Sequence, residues 1–157
     1  MRRAVTTVAL AALLAGCSSN AARPPSRPTS PMPRDSHTAA ALLQIATVFN
    51  NDYDNGIYGS AYDRWDARSQ AIIRKAEYVH RHTECPTAPT AAHVESAWPG
   101  PHGVWLVRYA IGGVQLTDYW FYVDGRWLFD LVLSNPSAVS LYKLSGPQYL
   151  KALGCSH

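Results

Sequence analysis

The run VQLTDYWFYV, residues 114–123, sets a single carboxylate into a strict alternation of side chains. Val114, Leu116, Asp118, Trp120 and Tyr122 share one face of such a strand, and Asp118 is its only charge. Among apolar groups a carboxyl loses the water that stabilises its charged form, so its pKa climbs toward the range of proton exchange at neutral pH. The plainer alternative, preferred on sequence alone, is a solvated rim position beside an arginine such as Arg64 or Arg108. A second cluster, HRHTEC at 80–85, brings His80, His82 and Cys85 together, but H-x-H-x-x-C is not a common zinc spacing. His80, Arg81 and His82 read better as cations in the last turn of a helix, where they suit its negative end. DYDNG at 52–56 starts like a calcium loop, yet counting from Asp52 the sixth and twelfth places hold Ile57 and Asp63 instead of Gly and Glu. A helix end followed by a turn accounts for it, and no metal or cofactor is expected.

Cys17 lies elsewhere, at the end of an apolar run from Ala4 to Ala15 that follows Arg2 and Arg3. That run is far too short for the roughly 30 Å of a bilayer core and has the layout of a signal peptide. Leu14-Ala15-Gly16-Cys17 resembles the lipobox of bacterial lipoproteins. The resemblance implies cleavage after residue 16 and a diacylglyceryl group on the Cys17 thiol, which holds the protein on the extracytoplasmic face of the cell membrane. Residues 17–37 then carry Pro24, Pro25, Pro28, Pro31 and Pro33 among serines and arginines, a composition that cannot form a core. Extended at ~3.1 Å per residue, such a tether reaches about 60 Å.

This division changes the meaning of the charge. The formal net charge of +3 comes from the signal and the tether, whereas from Thr38 onward nine Lys and Arg face ten Asp and Glu. The body lacks the basic footprint of a nucleic-acid binder. Residues 38–157, about 120 in all, suffice for one domain with its own core. In an exported chain the two remaining cysteines, Cys85 and Cys155, read as a disulfide that closes a loop of about 70 residues.

The elements that must position these groups fall into a helical half and a strand half. Leu42, Ile45, Ala46, Phe49 and Tyr53 recur at helical steps and predict a helix from Thr38 to Tyr53, ended by Gly56. A second short helix is expected from Ser60 through Trp65, and a third from Ser69 through Ile72, Ile73, Ala76 and Val79 to about His82. Beyond Pro89 the period becomes two in HVESAW, VWLVRYAI, VQLTDYWFYV and RWLFDLVL. Gly112-Gly113 and Asp124-Gly125 predict two-residue hairpins and so an antiparallel meander. Trp105 then faces Trp120, Val107 faces Asp118, and Trp120 faces Phe129. One face gathers Trp105, Val107, Tyr109, Ile111, Val114, Leu116, Trp120, Tyr122, Trp127, Phe129, Leu131 and Leu133 around Asp118.

Three helices before such a sheet, with GIYGSAYDRWDARSQAII and the YVDGRWLF hairpin, resemble the nuclear-transport-factor-2-like superfamily, which includes ketosteroid-isomerase-like and polyketide-cyclase-like (SnoaL-like) proteins. The resemblance covers about residues 38–135 and implies an α+β cone with a cavity at its wide end, here followed by a short C-terminal extension. In catalytic relatives a cavity carboxylate is the general base and a tyrosine or second acid the hydrogen-bond donor. Asp118 matches the base in type, with Tyr109 or Tyr122 as donor, although no family motif transfers residue by residue. The expected function is a non-catalytic binding or accessory module of the cell envelope, taking a small apolar ligand or an envelope protein. An isomerase- or cyclase-like enzyme is the alternative.

Overall fold

The computed structural model of the chain describes residues 34–155. Cys17 and most of the tether lie outside them. The described chain is α+β, with seven α-helices and a four-stranded antiparallel sheet in the order β1-β2-β3-β4.

Four helical segments precede the sheet, where the sequence predicts three. Helix α1 (Ala39–Asp54) starts at Thr38, whose hydroxyl accepts from the Ala41 N–H at 3.2 Å, and it buries Leu42, Ala46 and Phe49. Its end at Asn55, followed by Gly56 in the left-handed region, is the turn expected from DYDNG. Helix α2 (Tyr58–Tyr62) contains Ser60 in its interior; the Ser60 hydroxyl donates to Asp52 instead of capping. The single third helix is two, α3 (Ala67–Gln70) and α4 (Lys75–Glu84). Asp66, not Ser69, caps α3, accepting from the Ser69 N–H at 2.8 Å. The break between them is stabilised from outside: the Tyr62 hydroxyl donates to the carbonyls of Gln70 and Ile73, at 3.1 and 2.7 Å. These backbone acceptors need a partner once the helix stops, and a tyrosine on another helix supplies it.

The strands β1 (His93–Pro99), β2 (Val104–Ile111), β3 (Val114–Val123) and β4 (Arg126–Phe129) form the meander. Gly112, Gly113, Asp124 and Gly125 all have positive φ, as tight turns of this hand require. The register is the expected one, Trp105 opposite Trp120, Val107 opposite Asp118, and Trp120 opposite Phe129. The fourth strand is shorter than RWLFDLVL suggests. It stops at Phe129 because Asp130 caps a helix, α5 (Leu131–Ser134), by accepting from the Leu133 N–H, while its other oxygen takes the Arg68 guanidinium. Leu131 remains buried, but Leu133 is 45 % exposed and leaves the inner face. Val114 and Leu116 have the expected parity yet are 61 % and 40 % exposed, since they lie at the hairpin tip beyond the cover of the helices.

Helix α1 packs against β1, and the core joins its Leu42, Ala46 and Phe49 to Val107, Trp120, Trp127 and Phe129 of the sheet. Phe49 meets Trp120 edge-on, ring centres 5.3 Å apart. The C-terminal extension consists of α6 (Pro136–Tyr142) and α7 (Gly146–Ala152). Buried Arg81 of α4 donates to the carbonyls of Tyr142 and Leu144 and pairs with Glu77, so it caps the end of α6 rather than of its own helix. Cys85 at the end of α4 is bonded to Cys155 after α7, Cα atoms 5.7 Å apart, within the normal range for a disulfide.

The body also begins earlier than Thr38. Asp35 accepts from the Trp127 N–H at 2.9 Å, pairs with Arg64 at 2.7 Å, and donates its own N–H to Gly125. His37 stacks on Tyr122 with ring centres 4.2 Å apart, and the Ser36 carbonyl takes the Trp127 indole N–H. Residues 34–37, expected as the end of the tether, are a strap across the β3–β4 end of the sheet.

Candidate functional site

A cavity of about 280 Å³ opens between α1, strands β2 and β3, and α6. Each wall follows from a local pattern. Phe49 and Tyr53 come from the apolar stripe of α1, and Tyr109 and Asp118 from the period-two face of the hairpin. Ala138 and Tyr142 come from the extension that Arg81 and the disulfide hold in place. Leu116 and Ile111 stand toward the hairpin tip.

Asp118 is 5 % exposed, which overturns the preferred expectation of a solvated rim. Neither arginine foreseen as its partner is free to serve: Arg64 is paired with Asp35, and the Arg108 guanidinium lies over the Trp98 ring, 5.2 Å from its centre. Among the described residues no ion pair involves Asp118. Loss of water therefore dominates and pushes its carboxyl up to about 7; the neighbouring Tyr109 hydroxyl opposes this more weakly. Tyr109 sits diagonally across the hairpin, opposite Leu116, two positions from the residue facing Asp118. Burial raises its own phenol, and the neighbouring Asp118 charge adds to that.

Tyr122, the other expected donor, is not in this group. Its hydroxyl donates to the Asp35 carbonyl at 2.5 Å and its ring is covered by His37, so it holds the strap.

Sequence reasoning missed a polar network behind the opposite wall. His82 is buried, with Nε2 at 2.8 Å from the Tyr142 hydroxyl and Nδ1 at 3.4 Å from the Tyr53 hydroxyl. Desolvation lowers its pKa to about 4, so at neutral pH it is an uncharged bridge between two phenols that line the cavity, and not one of the cations expected at the helix end. Tyr53 was legible as the last member of the α1 stripe. Tyr142 carried no signal, because only the fold brings the extension back over α4. The other members of the HRHTEC cluster diverge: His80 points to solvent beside Glu84, and Cys85 is in the disulfide. No group of metal-ligating side chains is present among the described residues.

What the arrangement offers chemically is one carboxyl able to hold or release a proton near pH 7, a phenol beside it, and an open cavity lined mainly by apolar and aromatic side chains. Compared with protein-family models, with curated proteins and with solved structures, the chain matches none.

Proposed function

We propose that this protein is a lipid-anchored, extracytoplasmic binding module of the cell envelope whose domain takes a small apolar molecule into the cavity beside Asp118. The observation that carries the reading is a buried carboxyl set without an ion pair in the wall of a mainly apolar hollow whose other polar groups are uncharged at neutral pH. Such sites bind through their apolar lining and orient the ligand through one or two polar groups. The volume suits a molecule of one ring and a short chain. The resemblance to nuclear-transport-factor-2-like domains agrees with helices placed before an antiparallel meander; the cone belongs to this proposal. The lipobox at Leu14–Cys17 supports the anchor, and no helix of the described residues is long and apolar enough to cross a membrane.

A second reading, general-base catalysis of the isomerase or cyclase type, is favoured by the carboxyl near 7 with Tyr109 beside it as donor. It uses the same cavity and requires a ligand with an acidic C–H.

Two expected outcomes test the proposal. 3-Phenylpropan-1-ol titrated into the full chain shifts the amide resonances of Phe49, Tyr109, Asp118 and Ala138 together. Ala138→Phe, which fills the hollow from α6, abolishes the shifts while the variant keeps a cooperative melt. Binding that survives the filled cavity places the ligand elsewhere and defeats the reading. Separately, the chain partitions with membranes in a bacterial host and Cys17→Ala releases it or leaves it unprocessed; an acylated, membrane-bound Cys17→Ala protein contradicts the anchor.

A further inference from the structure

The cavity carries a charge pattern that narrows its ligand beyond an apolar shape, an inference that rests on the small-molecule function proposed for it. Its lining contains one carboxyl, Asp118, and no lysine, arginine or histidine. Three arginines of the described fold are committed elsewhere: Arg64 to Asp35, Arg68 to Asp130, Arg81 to Glu77 and the end of α6. His82, behind Tyr142, is held neutral by burial and adds no positive charge. Asp54 at the end of α1 binds the backbone and hydroxyl of Thr90, which itself lines the cavity, so a second carboxylate stands behind the wall. The remaining lining is rich in aromatic rings, among them Tyr53, Trp65, Tyr78, Tyr109 and Tyr142. Their π-systems attract cations and repel anions.

We propose that the cavity selects an organic cation, an ammonium group carried on an apolar body of about one ring, with Asp118 as its counter-ion. A carboxylate of the same shape meets the Asp118 charge and electron-rich rings with no cation in the lining to balance it, only neutral donors such as the phenol hydroxyls. A neutral molecule has no charge to pair with Asp118 and gains only a hydrogen bond with it or with Tyr109. An ammonium instead displaces the carboxyl proton to solvent and leaves an ion pair in a partly dehydrated site, where the attraction is stronger than in water and must exceed the cost of desolvating the ammonium. The titratable groups that share the cavity wall with Asp118 are Tyr109 from β2, Tyr53 from α1, Tyr78 from α4 and Tyr142 from α6, all phenols that remain neutral at pH 5–8. Asp118 is then the group whose proton is exchanged, and its rise to about 7 places that exchange within reach of experiment.

Three ligands of one skeleton test this by calorimetry on the full chain: 3-phenylpropylammonium, 3-phenylpropan-1-ol and 3-phenylpropanoate. The ammonium is expected to bind at least tenfold more tightly than the alcohol at pH 8, with the propanoate weakest. Its affinity should fall by nearly tenfold per pH unit below pH 7, as the released proton is pushed back. In two buffers of different ionisation enthalpy at pH 6, close to one proton should be released per ammonium bound. In Asp118→Asn the ratio of ammonium to alcohol affinity should collapse to about one. The proposal is overturned if the alcohol binds as well as the ammonium at pH 8, in which case the apolar-ligand reading stands without it. It is equally overturned if the ammonium preference persists in Asp118→Asn. If none of the three binds, the cavity reading falls together with it.

Discussion

Asp118→Asn is expected to stabilise the domain at pH 8 by about 2–3 kcal/mol, a gain that vanishes as the pH is lowered toward 4. The carboxyl is raised from 3.8 to about 7 by burial, so between those values the folded chain holds a proton that the unfolded chain has released. Stability from this group is therefore greatest below the unfolded value and declines as pH rises through the folded one. About three pH units at ~1.4 kcal/mol each set the upper bound, from which the lost contact with Tyr109 subtracts about 1 kcal/mol. Buried His82 acts in the opposite sense. Its folded value of about 4 lies below the unfolded 6.5, so its contribution is complete above 6.5 and is lost as pH falls toward 4, by about 3 kcal/mol. The two slopes overlap between pH 4 and 6.5 and largely cancel in the wild type. Asp118→Asn should uncover a stability that rises with pH across that window, and His82→Gln one that falls. Chemical denaturation at half-unit pH steps reads both. A variant Asp118→Asn less stable than wild type at pH 8, with the deficit shrinking in salt, would return Asp118 to the surface.

Reducing the Cys85–Cys155 disulfide should lower the melting temperature by on the order of 15 °C. The bond closes a loop of 70 residues and on the chain-entropy model contributes about 4 kcal/mol; for a domain of this size 1 kcal/mol corresponds to roughly 4 °C. Its location makes the effect uneven. The bond fastens the chain after α7 to the end of α4, and α6 supplies Ala138 and Tyr142 to the cavity wall. Arg81 still holds the α6 carbonyls after reduction, so the extension should loosen from its C-terminal end first. Hydrogen exchange at the amides of α7 is then expected to accelerate more than at α1 or β3. Two free thiols in the native exported protein, or a melting temperature indifferent to reductant, would refute the pairing.

Much of the site was legible because strands are simple to read. Once Gly112-Gly113 and Asp124-Gly125 fixed the turns, the period of two forced Val107 against Asp118 and Trp120 against Phe129. Burial was not legible in the same way, since it depends on what covers a face. Asp118, Val114 and Leu116 have the same parity, and only Asp118 lies deep enough to be covered. The helices show the converse difficulty. Ile72, Ile73, Ala76 and Val79 fit one continuous helix, and the break between α3 and α4 is stabilised by Tyr62 from another helix, which no local window contains. Leu131 and Leu133 continued the strand alternation, but Asp130 found a partner in Arg68 and turned the chain into α5 instead. The strap at residues 34–37 was hidden by its neighbours: next to a proline-rich run, Asp35 and His37 look like more of the same until Arg64, Trp127 and Tyr122 are placed beside them.

The claim that an unpaired, buried acid lines a ligand-sized cavity is tested most directly by carbon NMR of the Asp118 carboxyl. Its titration is followed from pH 3 to pH 9 without ligand and with saturating 3-phenylpropan-1-ol. The expected midpoint is close to 7 in the free protein and moves higher when the neutral ligand displaces water from the cavity. A midpoint near the ordinary carboxylate value, unmoved by the ligand, would contradict the account.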